Sequence, residues 1–328
     1  RDGITIAGAP VGTEAFVQCS LDSHLDSWKR KVEAVKALGA TEPQMAFHIL
    51  SVCTAQLPSY LMRVIPTPTL SPHLAAFDSL LAGARISILT PPDHLSPPVL
   101  APRLQRFVQL SSLSTLNGGT GQLPATRRAP GAFLAALIHS ARHSPTLRDH
   151  ADVLLPHVRA AYQAVCDMAH VPAITGSHPL ASILPGSPDC IFSAKLDPQY
   201  QTTSKAQKAI NGYLSRCHRN DVRDLVAALP DSLSPERTHS LALTSRSQAS
   251  RIFSASLWHR DHRIEATTFI SYVRWLYCLP PLAFHLPAII PPLSASPDGQ
   301  PLRECMPCKR KGICAFLDVS GTHANCCW

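Results

Sequence analysis

The stretch "FVQCSLDSHLDSWKRKVEAVKALG", residues 16–39, decides the fold class. Phe16, Val17, Leu21, Leu25, Trp28, Val32, Val35 and Leu38 recur at intervals of three and four, and Gly39 stands where the helix should stop. A helix of this length is marginal alone in water, so its apolar stripe requires neighbouring helices. Upstream, "GITIAGAPVG" alternates apolar residues and then meets Gly and Pro, the pattern of a short strand or hairpin closed by a tight turn.

Downstream, Thr41, Glu42 and Pro43 start a second helix over about 43–57, and Pro66 and Pro68 separate it from a third over about 71–89. The run "TPPDHLSPPVLAPR", residues 90–103, reads as a proline-rich connection. Further helices are expected over about 130–143, 149–170, 203–217, 219–229 and 262–278, with a loop over 171–202. The expected fold is mainly α: a short N-terminal strand or hairpin, then a multi-helix bundle, then a small C-terminal Cys/His module. Thirty prolines in 328 residues should keep the helices short and the connections long.

The net charge is +8, while only 16% of residues are charged. That balance favours a phosphate-bearing partner, although basic proteins without one are common. No apolar run reaches the ~18 residues needed to span a bilayer, and the N-terminus lacks a signal pattern. The chain is therefore expected to be an intracellular fragment, nuclear or cytoplasmic, with no membrane partner. Cysteines at 19, 53, 166, 190, 217 and 278 show no disulfide framework and read as small apolar side chains.

The other five of the eleven cysteines fall within the last 24 residues, in "ECMPCKRKGICAFLDVSGTHANCCW". Cys305 and Cys308 form a CxxC pair, and His323 with Cys326 an HxxC pair. Three thiolates and one imidazole make the tetrahedral donor set that zinc favours, and a tail without a core of its own would gain folding energy from the metal. Cys314 and Cys327 are extra thiols able to replace a ligand. Unligated reduced cysteines are the other reading.

Three further features bear on chemistry. The glycines of "NGGTGQ", residues 117–122, lack the GK[ST] of a phosphate-binding loop and read as a close backbone approach. In "WHRDHRIE", His259, Asp261, His262 and Glu265 lie close together without a recognisable nucleophile, which suits a solvated helix start better than a hydrolase or metal site. Candidate phosphate contacts are Lys29, Arg30 and Lys31, Arg127 and Arg128, and Lys309, Arg310 and Lys311; each is equally readable as a solvated charge.

Four pieces, in order, resemble the downstream part of reverse transcriptase-like proteins of non-LTR-type eukaryotic mobile elements. "DGITIAGAPVG" is similar to the G-x-x-x-L-G-x-P-x-G strand and turn after the polymerase palm, with Ala7 in place of Leu. The helix after it looks like the start of the thumb. "LNGGTGQLPATRRAPGAFLAALIHS" is similar to a GGLGL…AYLAS segment, with Gly118, Gly119 and Gly121 matching its glycines, Thr120 replacing the Leu and Phe133 as the aromatic. "FISYVRWLYCLPP" and the tail, with Asp318, Gly321, His323 and Cys326, resemble an R-x-x-L-x-L-P helix end followed by C-x-x-C…D-x-x-G-x-H-x-x-C.

The resemblance implies a palm-like strand and turn at 1–12, a thumb-like region at 13–103, a helical connection region at 104–285, a proline-rich linker at 286–303 and a zinc-binding tail at 304–328. It also implies RNA or an RNA–DNA hybrid as partner. The family's paired catalytic aspartates, in a [YF]-x-D-D hairpin, do not occur in these 328 residues. The chain is expected to grip nucleic acid and not to polymerise it. The alternatives are an all-helical scaffold with a structural zinc tail, and a decayed element remnant without function.

Overall fold

The computed structural model describes residues 2–89, 97–114, 119–121, 123–192, 202–229, 238, 240–241, 265–277 and 279. They are mainly helical, with one antiparallel hairpin at the start. Strands β1 (Gly3–Ile6) and β2 (Ala9–Gly12) pair with Gly3 opposite Gly12 and Ile6 opposite Ala9. The two turn residues, Ala7 (φ 50°) and Gly8 (φ 87°), are both left-handed, as the mirror-image turn of a tight hairpin requires. Glycine suits that conformation, whereas the alanine accepts it at a steric cost.

Helix α1 (Glu14–Leu38) begins where the Thr13 hydroxyl accepts the Phe16 amide at 3.4 Å. It buries Leu21, Trp28 and Val32. Helix α2 (Pro43–Val52) is shorter than its apolar pattern suggests. After Cys53 the chain tightens into a 3₁₀ turn over Thr54–Ser59, which contains Pro58. Short α3 (Leu61–Val64) leads to α4 (Thr67–Leu89), which starts earlier than expected because Pro68 lies in its first turn, where an amide is dispensable. The supposed connection at 90–103 is helical from Pro97 onward, as part of α5 (Pro97–Ser111). Then follow α6 (Ala125–His143), α7 (Pro145–Asp149) and α8 (Ala151–Met168). A single α9 (Thr203–Ala227) stands where two helices were expected, and α10 spans Ala266–Leu276. No described helix is long and apolar enough to cross a membrane.

Two apolar cores result. The first joins α1, α2, α4, α5 and α10; the Trp28 ring meets Phe77 edge-on at 5.2 Å, and Phe47 meets Phe269 at 5.7 Å. The second joins α6, α8, the 174–191 segment and α9 through Leu134, Ile138, Tyr162, Val165, Leu184 and Leu214. Helix α6 belongs to both. Ala125, Ala129 and Ala132 face the first core, and Phe133, Leu134 and Ile138 face the second.

The start of α6 therefore lies among packed side chains, where its free amides need partners. Pro124, at the cap position, supplies none. Asp78 of α4 does so from 47 residues away: one carboxylate oxygen accepts the Ala125 amide at 2.7 Å. The other accepts the Thr126 amide at 3.0 Å and the Thr126 hydroxyl at 2.8 Å. At the far end of α4, the Leu89 carbonyl accepts from the buried Arg274 of α10 at 2.8 Å. Replacing Asp78→Ala should cost about 2–3 kcal/mol, because it leaves two helix-start amides without a partner. Urea unfolding of the two proteins measures it, and a midpoint equal to wild type would show that the cap contributes little.

Candidate functional site

Of the candidate phosphate contacts, Lys29, Arg30 and Lys31 lie on the solvent side of α1, all exposed. None of the three has an ion-pair partner among the described residues, although Asp26 and Glu33 lie within a turn of them. Glu33 is held by Lys36 at 3.2 Å. The triplet fans across the solvent side of α1, since successive helical residues are turned about 100° from one another.

Arg127 and Arg128 are placed otherwise. Arg127 Nη2 lies 3.0 Å from Asp221 Oδ2 on α9, and Asp221 Oδ1 lies 2.7 Å from His170 Nε2. Partial burial works to raise the Asp221 carboxyl, yet the hydrogen bonds from His170 and Arg127 outweigh it and hold the group below the usual carboxylate range. His170 itself follows the end of α8 in the left-handed conformation (φ 56°), where its ring can turn back to α9. Arg128 donates to the Ala55 carbonyl at 2.6 Å and to Gln56 Oε1 at 3.1 Å, closing the 3₁₀ turn. Burial lowers its guanidinium from the ordinary value, partly countered by Asp78. Both arginines tie the first turn of α6 to its neighbours, so an incoming phosphate would have to displace those contacts.

The glycine cluster is a backbone cap on α5. The Thr120 amide and hydroxyl donate to the Ser111 carbonyl at 2.9 and 2.8 Å, and the Gly121 amide donates to the Leu113 carbonyl at 2.9 Å. A Cβ on Gly119 would lie 2.0 Å from the Leu113 oxygen. The amides of Gly119, Thr120 and Gly121 all donate to carbonyls and are not presented to a phosphate. Gly118 lies outside the described residues.

Of the His-Asp-Glu group only Glu265 is described; His259, Asp261 and His262 lie outside the described residues. Glu265 caps α10. Its carboxylate accepts the Thr267 and Thr268 amides at 2.9 and 2.8 Å, the Thr268 hydroxyl at 2.9 Å and the Thr267 hydroxyl. Those bonds, led by the Thr267 hydroxyl, pull it down to about 2. An ionised cap of this kind is a poor general acid or base near neutrality.

A second polar pair drew no attention in the sequence. His218 Nε2 lies 2.6 Å from the Ser112 hydroxyl, which also donates to the Gln109 carbonyl at 2.6 Å. Both residues are 7% exposed. The other ring nitrogen of His218 has no partner among the described residues, so no carboxylate orients the imidazole as a serine nucleophile requires. The pair joins α5 to α9 and explains why α9 continues through 218: the polar residue at the expected break points inward.

The helix α9 also carries a surface that sequence reading passed over. Lys205, Lys208, Gly212 and Arg216 line one side of a cleft of about 490 Å³, faced by Pro179, Leu180 and Ile183, with Ala209 and Tyr213 completing the wall. Their spacing of three, four and four residues was the available signal. The tail candidates Cys305, Cys308, His323 and Cys326, and with them Lys309, Arg310 and Lys311, lie outside the described residues. Among the described residues no group of three or more His, Cys, Asp or Glu side chains could hold a metal ion.

Burial, aided by the nearby Arg127, pushes His218 down to about 4 from an ordinary 6.5. Below pH 6.5 the unfolded chain takes up a proton that the folded chain refuses until about 4. Stability should thus fall by on the order of 2–3 kcal/mol over that window from this residue. Denaturant midpoints between pH 7 and 4.5 check this: His218→Gln should show a shallower acid loss than wild type, and identical slopes would contradict the assignment.

Comparison of the chain with protein families, with curated proteins and with solved structures found no match.

Proposed function

We propose that this chain is a non-catalytic, nucleic-acid-gripping part of a reverse transcriptase-like protein, acting on the phosphate backbone of RNA or an RNA–DNA hybrid. The observation that carries the reading is the block Lys29, Arg30 and Lys31, exposed on α1 and without ion-pair partners among the described residues. Three adjacent cations on a rigid helix can follow a phosphate backbone without reading its bases. Support also comes from the order of the four resembling segments along the chain, from the net charge of +8, and from the absence of a paired-aspartate motif.

The cations tied into the fold narrow the reading further. Arg127 and Arg128 serve α6, which leaves α1, and in the tail Lys309, Arg310 and Lys311, as the phosphate contacts of this proposal. The tail donors Cys305, Cys308, His323 and Cys326 are the kind of set that would hold a structural zinc ion, and zinc would order the loop bearing those three cations.

Fluorescence anisotropy of a labelled RNA–DNA hybrid across a salt series tests the proposal. Binding should appear at low salt, and the logarithm of the association constant should fall linearly with the logarithm of salt concentration. Replacing Lys29, Arg30 and Lys31 together by Gln should make that slope shallower by about 2–3, at roughly 0.9 per lost phosphate contact. Absence of binding at low salt would overturn the proposal. Bound zinc combined with no such binding would favour a helical scaffold instead.

A further inference from the structure

We infer that the cleft between α9 and the 179–183 segment is a binding site for a nucleotide, with the phosphate held by Lys205 and Lys208 and the base laid against Tyr213, Leu180 and Ile183. This site is separate from the basic block on α1 and does not depend on the backbone grip proposed above.

The argument begins with the two kinds of surface that meet there. Pro179, Leu180, Ile183 and Ala209 give an apolar wall, and Lys205, Lys208 and Arg216 give three cations; among the described residues no carboxylate lines the cleft. An apolar wall beside uncompensated positive charge selects a ligand with one greasy face and one anionic end. The cavity volume of about 490 Å³ lies in the range of small-ligand sites, roughly 300–1,000 Å³. A long acyl chain needs a deeper apolar channel than three or four side chains provide. A phosphate, carrying close to two negative charges, also matches paired lysines better than a single carboxylate does.

Helix geometry adds to the charge. Lys205 and Lys208 stand in the first two turns of α9, whose Thr202 cap accepts the Lys205 amide at 3.3 Å. The positive end of the helix dipole adds to the charge of the two ammonium groups. Arg216 is two turns further along, its guanidinium over one face of the Tyr213 ring at 5.4 Å from the centre, so a base would lie against the ring's other face or its edge.

Tyr213 is held in place by His178. Because His178 Nδ1 accepts the Leu180 amide at 3.2 Å, the proton of the neutral ring sits on Nε2, which donates to the Tyr213 hydroxyl at 3.0 Å. The two rings also meet edge-on at 4.9 Å. A fixed aromatic ring beside two aliphatic side chains gives a flat base a surface to lie on, independent of base identity.

Gly212 keeps the cleft open. It lies inside α9, where glycine is disfavoured, and a Cβ there would meet nothing within 4 Å. Packing does not ask for glycine at this position. A larger side chain would project into the cleft while improving the helix, which makes the residue a clean probe.

Isothermal titration of the full chain with ADP, adenosine and pyrophosphate tests the inference. ADP should bind at least tenfold more tightly than adenosine or pyrophosphate, since each of these fills half of the site. Gly212→Leu should abolish ADP binding with an unchanged or raised melting temperature, and Lys205→Gln with Lys208→Gln should reduce ADP to the affinity of adenosine. A 5′-phosphorylated trinucleotide that competes with ADP assigns the site to a strand end, and failure to compete assigns it to free nucleotide; either supports the site. No ADP binding to the wild-type chain at millimolar concentration, or undiminished binding to a folded Gly212→Leu chain, overturns it. The Gly212→Leu chain should still bind the RNA–DNA hybrid, and the α1 triple variant should still bind ADP, so the two readings fail separately.

Discussion

The grip of Asp78 on the first two amides of α6 is the contact on which most of the architecture rests. Helix α6 lines both cores, so its start must lie where water cannot satisfy its amides, and Pro124 at the cap position offers no side-chain acceptor. A carboxylate from α4 solves the problem at long range. The same need recurs at other helix ends: Arg274 reaches the last carbonyl of α4, and Thr120 covers the last carbonyl of α5 while Gly121 bonds the Leu113 carbonyl just beyond it. A chain with 30 prolines has many helix ends, and several of them fall inside the packing.

That constraint also decides which positive charges remain for a partner. Arg85 donates to Ser111 inside the first core, Arg274 caps α4, Arg128 closes the 54–59 turn, and Arg127 joins α6 to α9 through Asp221. Burial lowers Arg85 and Arg274 to about 10, still high enough for both to stay charged near neutrality. They hold the fold together as cations. Lys29, Arg30 and Lys31 on α1 and Lys205, Lys208 and Arg216 on α9 are among the cations exposed at the surface, as are Arg142, Arg148 and Arg223. The α1 and α9 groups are the ones proposed to meet anionic partners.

Local patterns were readable in the sequence, and contacts between distant residues were not. The hairpin and α1 follow directly from alternation and from threes and fours, because both signals are confined to neighbouring residues. Gly39 marks the end of α1 as expected, but its conformation there is ordinary; a Cβ would lie 2.4 Å from Ile88, so α4 asks for the glycine. The break expected between two helices near 218 vanishes because His218 finds Ser112, 106 residues away. Arg127 and Arg128 look like free charges until Asp221 and Ala55 are seen beside them. The α9 cleft needs the 179–183 segment folded over it, which no spacing within α9 announces.

If the caps and cross-links hold the arginines as described, their chemical reactivity should divide sharply. Phenylglyoxal modification of the folded chain, mapped by peptide mass spectrometry, reads each side chain separately. Arg30 and Arg216 should be modified within the first minutes, while Arg85, Arg128 and Arg274 should stay unmodified until denaturant unfolds the chain. Modification of Arg128 and Arg274 in the folded chain as fast as Arg30 would contradict the account at its centre.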